Sequence, residues 1–253
     1  MRKYSASHYY CSDCDYIYIP KPYWLDEAYA NSIVLDDTDQ ASRNVFNAIT
    51  MIAVLYWLVK AKRSTPFVDV AGGYGLFTRL MRDAGFNYYW ADKYTQNLFA
   101  SGFEYKNDYG KCFAVSAFEV LEHISEPVDF IKNCLHEYKA ETFIFTTEVF
   151  PNGAPPKLTD WSYFEIDTGQ HIAFYSDLGL QRLANKLDMN YYSIGRIRIF
   201  TRRSFSNFSV KLVNNKIARL FIAAVCAKKF GHRRNSDKNL LNKLALETSR
   251  NMI

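Results

Sequence analysis

The sequence contains no long hydrophobic segment, since the longest uninterrupted apolar run covers nine residues, 51–59. A membrane-spanning helix needs about 20 such residues. The first residues, MRKYSASHYYCSDC, lack the apolar stretch of a signal peptide. Glycine and proline are scarce, at 11 and 7 of 253 residues, which excludes fibrous and low-complexity classes. We therefore predict a globular, cytoplasmic protein.

Cysteine is too sparse for a disulfide framework, with five residues in the chain. Cys11 and Cys14 form one C-x-x-C motif, and no second pair follows. A structural zinc site usually takes four ligands. We therefore expect no metal. The alternative is a zinc ion bound by Cys11 and Cys14, with His8 as a third ligand and a partner chain supplying the fourth.

Charge is spread unevenly along the chain. Residues 196–253 hold 14 Lys and Arg against 2 Asp and Glu, whereas residues 1–195 hold 17 against 24. An acidic body thus carries a basic tail with apolar positions near helical spacing. Three interpretations stay open: a helix packed on the domain, a helix on an anionic membrane surface, or a nucleic-acid patch. Of the two binding interpretations, we favour the membrane.

Strands alternate with helices in the middle of the chain. The pattern predicts strands at 67–70, 88–91, 113–117, 142–146 and 191–200, and helices at 45–62, 76–84, 128–136 and 177–187. Such alternation is typical of βαβ units and a mainly parallel sheet.

A glycine turn, FVDVAGGYGLFTRL at residues 67–80, joins the first predicted strand to its helix. Asp69 near the strand end would repel a dinucleotide pyrophosphate. Thr78 stands where the dinucleotide fingerprint requires Gly or Ala, and no Walker lysine is present. Asp92, which ends the next strand, is placed to bind ribose hydroxyls.

These motifs resemble the class I S-adenosylmethionine-dependent methyltransferases. The family's acid and Gly-x-Gly-x-Gly turn are matched by Asp69, Ala71, Gly73 and Gly75, with alanine replacing the first glycine. Asp92 matches its ribose-binding acid, and residues 113–131, with Leu121, Glu122 and His123, match the following strand and turn. In this family the Glu122–His123 pair mostly supports the turn.

The resemblance implies an α/β, Rossmann-like class I methyltransferase fold with a central, mostly parallel seven-stranded sheet flanked by helices. We expect an N-terminal knuckle and substrate-covering segment at 1–44, the cofactor domain at 45–200 and a basic helical tail at 201–253. S-adenosylmethionine is the implied cofactor, and S-adenosylhomocysteine its product. The implied cofactor-binding residues are Asp69, Ala71, Gly72, Gly73, Tyr74, Gly75, Asp92, Lys93, Ala117, Phe118 and Glu119.

The segment TGQHIAFYS, 168–176, supplies the predicted catalytic residues His171, Gln170 and Tyr175. His171 is the candidate general base, because imidazole has a pKa of about 6.5, and Tyr175 could orient the substrate. The segment also resembles sugar C-methyltransferases acting on nucleotide-linked keto sugars, which carry Glu-His here. Gln170 replaces that glutamate, which leaves O-methylation open. A structural role for His171 is the alternative.

Residues 23–29 and 37–44 resemble the N-terminal segment of methyltransferases encoded with surface-polysaccharide genes. By this resemblance the substrate-binding candidates are Tyr23, Trp24, Tyr29 and Arg43. Glu148 is a further candidate, because it lies just past the fourth strand and faces the same end of the sheet. The aromatic rings could stack on a sugar, and Arg43 could pair with a phosphate or carboxylate. Ordinary packing is the alternative.

The sequence thus predicts a methyltransferase for a small-molecule or lipid-linked sugar acceptor, in surface polysaccharide biosynthesis, at most peripherally bound to the inner membrane surface. Three rival functions stay open. They are an RNA methyltransferase docking through the basic tail, a nicotinamide-dependent oxidoreductase, and a non-catalytic partner subunit.

Overall fold

The computed structural model describes residues 4–28 and 38–250. The strands are β1 Tyr9–Cys11, β2 Tyr16–Tyr18, β3 Pro66–Val70, β4 Asn87–Ala91, β5 Ala114–Phe118, β6 Thr142–Thr146, β7 Val149–Phe150, β8 Ala173–Ser176, β9 Asn190–Ile194 and β10 Ile197–Thr201. The helices are α1 Leu25–Ala28, α2 Gln40–Ala53, α3 Leu76–Asp83, α4 Pro127–Glu137, α5 Asp177–Lys186, α6 Asn207–Asn214, α7 Lys216–Phe230 and α8 Arg234–Arg250.

The main sheet has the strand order β4-β3-β5-β6-β10-β9. The first four strands are parallel, whereas β10 runs antiparallel to both β6 and β9. Helices α3 and α4 make the crossovers that parallel neighbours require. The carboxyl ends of β3, β4, β5 and β6 therefore meet at one edge. This is the predicted Rossmann-like α/β architecture.

The main sheet has six strands in the described part of the chain, one fewer than the seven expected. Beside β4, the backbone of Trp90 bonds to Phe103 and Tyr105 and makes a single parallel bridge to Glu104. The left-handed Gly102, with φ +85°, precedes this bridge, and a 3-10 turn at Asn107–Tyr109 follows it. The extended stretch between the two turns is too short to continue as a strand.

Two other boundaries differ from the sequence prediction. The strand predicted at 191–200 is a hairpin, β9 and β10, because Gly195 turns the chain with a φ of +59°. The helix predicted at 45–62 begins earlier, at Gln40, and continues past Ala53 as a π-helical turn at Val54–Leu58.

Both faces of the main sheet are buried, because successive strand side chains alternate between two hydrophobic clusters. In β6, Phe143 and Phe145 pack into the cluster that includes Ile131 of α4 and Leu180 of α5. Ile144 points to the opposite cluster, which includes residues of α2, α3 and α7. The helices are thereby fixed on either side of the sheet, and its carboxyl edge stays open.

Strands β1 and β2 of the N-terminal segment join β8 and β7 in a second, four-stranded sheet of order β1-β2-β8-β7. Cys11 and Cys14 lie at the turn of the β1–β2 hairpin as free thiols. The adjacent Asp15 is buried, and its carboxylate accepts hydrogen bonds from the Ser176 hydroxyl and the Gly153 backbone. The hairpin is therefore joined to β8, the strand that follows His171.

The basic tail packs on the domain. Helix α7 lies against α2, and its Phe230 ring contacts Phe86 and Tyr56. Asp237 of α8 is buried in an ion pair with Arg82 of α3. Among the described residues, no helix is long and apolar enough to span a membrane.

Candidate active site

A cleft of about 1200 Å³ opens at the carboxyl edge of β3, β4, β5 and β6. Thirteen predicted site residues line it: Asp69, Ala71, Gly72, Gly73, Tyr74, Asp92, Lys93, Phe118, Glu119, Gln170, His171, Arg43 and Glu148. One end, the cofactor end, is formed by the turn at 71–74 and Asp92. The other, the acceptor end, is formed by Glu119, His123 and His171.

The glycine turn keeps side chains out of the cofactor end. A Cβ added to Gly72 would lie 2.9 Å from both Asp69 Oδ2 and Trp90 Cδ1. A Cβ on Gly73, where φ is +53°, would meet nothing within 4 Å, so it would extend into open space. Ala71, in the place of the family's first glycine, still adopts the left-handed φ of +52°. The turn thus exposes backbone to a ligand, as cofactor binding requires.

Asp92 is held in place by three backbone N–H groups. Its Oδ2 accepts from Gly73 at 2.9 Å, and its Oδ1 accepts from Tyr94 at 2.8 Å and Thr95 at 2.9 Å. A carboxylate offers about four acceptor positions, so one remains on Oδ2 beside the turn. A ribose hydroxyl is a donor that fits it.

Asp69 lies at the floor of the cleft beneath the glycine turn, with 2% of its surface exposed. Its Oδ1 accepts a hydrogen bond from Ser116 Oγ at 2.6 Å, and its Oδ2 accepts one from Thr78 Oγ1 at 3.4 Å. Burial raises the pKa of the Asp69 carboxyl to about 7. This carboxyl therefore joins β3, β5 and α3 beneath the cofactor end.

The acceptor end concentrates titratable groups around Glu122, which is fully buried. Burial is the largest cause, and the charge of Glu119 the second, of a pKa of Glu122 that is raised to about 7. Burial lowers the pKa of the neighbouring His123. The rings of His123 and His171 lie 4.8 Å apart between centroids. Acids and imidazoles therefore share one small volume at the end of the cleft.

Tyr163 belongs to this group, although no sequence motif includes it. It lies in a 3-10 turn at Ser162–Phe164 and lines the cleft. Its hydroxyl donates to Glu122 Oε1 at 2.6 Å, and its carbonyl oxygen lies 2.6 Å from His171 Nδ1. Its only sequence signal is its place after the Pro-rich loop.

Other predicted residues hold the structure beside the cleft. Tyr175, predicted to orient the substrate, lies outside the cleft lining, and its hydroxyl donates to the Leu121 carbonyl at 3.2 Å. Trp24 is buried, and its indole N–H donates to the Gly169 carbonyl at 2.7 Å. Gln170 directs its amide N–H to the Ala28 carbonyl. These contacts tie the N-terminal segment to the loop that carries His171.

The remaining predicted residues lie on the surface, within the fold, or outside the residues that the structure describes. Tyr23 is 70% exposed and does not line the cleft. Ala117 is buried in β5, and Gly75, with a φ of +85°, caps α3. Tyr29 lies outside the described residues.

Two predicted substrate-binding residues lie at the rim of the cleft. Arg43 pairs with Asp39 one helical turn earlier. Glu148 follows β6, and its Oε1 lies 3.7 Å from Nη2 of Arg196, in the β9–β10 turn. Sequence reasoning missed Arg196, because that turn was predicted to be continuous strand. The rim thus offers charged groups of both signs.

Neither Cys11 nor Cys14 gains a third metal ligand in the part of the chain that the structure describes. The backbone N–H of Cys14 instead donates to Cys11 Sγ at 3.2 Å, which closes the hairpin turn. The only group of three or more potential ligands found there combines Glu122, His123 and His171.

Comparison with known proteins identifies the domain. A family model described as "Methyltransferase domain" matches residues 53–194, more than half of the chain. The chain therefore belongs to this methyltransferase-domain family, which confirms the class and the fold predicted from the glycine turn. No curated protein matches the sequence significantly.

Similar solved structures are methyltransferases at low sequence identity. An O-methyltransferase family protein from Burkholderia thailandensis is 16% identical over 72% of this chain and 63% of its own, with a TM-score of 0.48. Mitomycin 7-O-methyltransferase is 14% identical over 62% and 53%, with a TM-score of 0.42. Magnesium protoporphyrin IX methyltransferase from Synechocystis, with bound S-adenosylhomocysteine, is 13% identical over 72% and 96%, also at 0.42. The chain thus spans only between half and two thirds of the first two.

Proposed function

We propose that the chain is an S-adenosylmethionine-dependent methyltransferase that methylates an oxygen of a small-molecule acceptor. The observation that carries the proposal is a single cleft with two chemically different ends. Gly73 and Asp92 at one end suit a nucleoside, and the acids and imidazoles at the other suit a hydroxyl that must lose its proton. The cofactor and the acceptor would thus meet in one cavity.

The reaction is an in-line displacement. The acceptor oxygen attacks the methyl carbon, and the electron pair of the breaking C–S bond returns to sulfur. The sulfonium already activates the methyl group, so the protein's work is positioning and removal of one proton. His171, whose ring lies at the acceptor end, is our predicted proton acceptor. Oxygen is favoured over carbon, because Gln170 cannot supply the carboxylate that the sugar C-methyltransferases carry at this position.

A sugar or glycan precursor is the acceptor class that we favour. Aromatic rings of Phe118 and Tyr163 line the cleft, together with the rim charges of Arg43, Glu148 and Arg196. A sugar-binding site uses aromatic rings that stack on the sugar and charged groups that bind its hydroxyls. The place of this reaction in surface polysaccharide biosynthesis rests on the resemblance of the N-terminal segment alone.

The test of this function is calorimetric titration of the purified full-length protein with S-adenosylmethionine and, separately, with NAD. We expect micromolar binding of S-adenosylmethionine and none of NAD, because Thr78 stands where the dinucleotide fingerprint requires Gly or Ala. Binding of NAD alone would favour the oxidoreductase. A folded protein that binds neither ligand would favour the non-catalytic subunit.

We further propose that α7 contacts an anionic membrane surface. Ile217 and Phe221 expose 80% and 69% of their surface, beside the basic Lys216 and Lys228. An exposed apolar face with flanking cations is typical of interfacial helices. This contact would place the protein near a lipid-linked acceptor.

Sedimentation with vesicles tests the contact. We expect the protein to bind phosphatidylglycerol vesicles and not phosphatidylcholine ones, and the double variant Ile217→Asp/Phe221→Asp to lose most binding. The control is Leu158→Asp, which changes an exposed apolar residue in the Pro-rich loop. If the double variant binds as well as the control does, α7 is not the contact surface.

A further inference from the structure

Three side chains that commonly bind metals meet at the acceptor end of the cleft. Glu122, His123 and His171 each offer one ligand atom, and these atoms lie within 4.8 Å of one another. Glu122 and His123 come from the turn after β5, whereas His171 precedes β8. The backbone N–H of Ile172 donates to the Glu122 carbonyl at 2.8 Å, which holds the two segments together.

Both imidazoles are oriented by backbone carbonyl oxygens. His123 Nδ1 lies 3.1 Å from the Gln170 oxygen, and His171 Nδ1 lies 2.6 Å from the Tyr163 oxygen. A carbonyl oxygen only accepts hydrogen bonds, so each Nδ1 carries the proton and each Nε2 the lone pair. Metal-binding histidines are usually fixed in this way, with the outer ring N–H on a carbonyl or carboxylate.

Glu122 provides an independent indication of a ligand. Its side chain is fully buried, and its Oε2 has no hydrogen-bond partner. A buried carboxylate oxygen without a partner is costly unless something binds it. The other oxygen, Oε1, accepts from Tyr163, which also orients His171. One tyrosine therefore positions two of the three ligands, as the surroundings of a metal site do.

We propose that Glu122, His123 and His171 bind a divalent first-row transition-metal ion, and that this ion holds the acceptor oxygen. Two ligands of one tetrahedral ion lie about 3.4 Å apart when each bond is about 2.1 Å, so ligand atoms up to 4.8 Å apart must approach one another by up to about 1.4 Å as the ion binds. Two imidazoles and one carboxylate suit Mn²⁺, Fe²⁺, Co²⁺ or Zn²⁺ better than Mg²⁺. Three protein ligands leave coordination positions open for substrate.

The role in the reaction rests on the proposed function. An acceptor hydroxyl bound to the ion is more acidic than a free one. Its proton passes to the carboxylate of Glu165, whose Oε2 lies 3.8 Å from His171 Nε2. The oxygen then attacks the methyl carbon, the C–S electron pair returns to sulfur, and the products are a methyl ether and S-adenosylhomocysteine. With an ion bound, His171 is a ligand, and Glu165 replaces it as proton acceptor.

The experiment is a titration of the chelator-treated, dialysed full-length protein with MnCl₂, in which electron paramagnetic resonance measures free Mn²⁺. We expect one site in the wild type. We expect at least tenfold weaker binding in Glu122→Gln, since losing even an outer partner of a metal ligand costs about tenfold to a hundredfold. Cys14→Ser is the matched control, and should bind Mn²⁺ like the wild type because Cys14 lies in the β1–β2 hairpin and does not line the cleft.

A second variant and a second ligand keep the result interpretable. His171→Gln should weaken Mn²⁺ binding as Glu122→Gln does, with circular dichroism confirming that both variants fold. Wild-type protein without a Mn²⁺ site, or both variants binding like the wild type, would overturn the metal site. Calorimetry with S-adenosylmethionine on the same samples tests the two proposals separately. Binding of the cofactor without binding of Mn²⁺ would support the proposed function and contradict only the metal site.

Discussion

Replacing Asp237 by alanine is expected to lower the free energy of unfolding by about 3–5 kcal/mol. Asp237 accepts hydrogen bonds from Nε and Nη2 of Arg82 at 2.9 and 2.7 Å, and from Arg79 at 2.9 Å. Arg82 and Asp237 are 3% and 4% exposed. Without the carboxylate, the Arg82 guanidinium stays buried with no counter-charge on α8, and that is the source of the large effect.

Guanidinium unfolding followed by circular dichroism measures the change. Asp83→Ala is the control, because Asp83 pairs with the same Arg79 but is 40% exposed. That exposed pair contributes about 0.3–0.5 kcal/mol. The double variant Arg82→Met/Asp237→Leu should recover most of the stability, since it removes both charges. A loss below about 1 kcal/mol for Asp237→Ala would show that the pair does not hold α8 on the domain.

Asp92→Ala is expected to weaken S-adenosylmethionine binding by about tenfold to a hundredfold, as one lost charge-assisted hydrogen bond implies. The free acceptor position on Oδ2 is the one that would receive a ribose hydroxyl. The variant also removes the acceptor for the Gly73 N–H, which helps to shape the turn. Calorimetry on the wild type and the variant measures the ratio of dissociation constants.

The control for Asp92→Ala must be an acid outside the cleft, and Asp83→Ala serves again. It should bind S-adenosylmethionine within about threefold of the wild type, because Asp83 does not line the cleft. If a folded Asp92→Ala protein binds equally well, the ribose does not lie at Asp92. The nucleoside would then have to occupy another part of the cleft.

The cofactor end could be predicted from sequence because its determinants are local. A buried strand, a glycine turn and a second strand ending in Asp92 all lie within residues 67–92, and the register of β3 with β4 places the turn beside that acid. The orientation of the Asp69 side chain could not be predicted from these local features. Whether it faces a ligand or Ser116 depends on β5, a strand nearly 50 residues away.

The acceptor end could be predicted only in part, because it is assembled from distant segments. His171 was selected from its motif, but Tyr163 and Arg196 enter the cleft through a 3-10 turn and a hairpin. The apolar residues on both sides of Gly195 favoured one long strand, although an isolated glycine in such a run often marks a turn. The seventh strand does not form for a similar reason, since Gly102 before the bridge and the 3-10 turn at Asn107–Tyr109 after it leave only a short extended stretch beside β4.

The pairing of β2 with β8 has a consequence for the order in which the chain folds during synthesis. The β1–β2 hairpin is synthesised before its partner strand, which follows about 155 residues later. At roughly 5–20 residues per second, that delay is about 8–30 s. The strands and turns around Asp92 are complete well before then. The nucleoside end of the cleft can thus form before β8 is made, whereas the acceptor end cannot close until His171 and β8 have been synthesised.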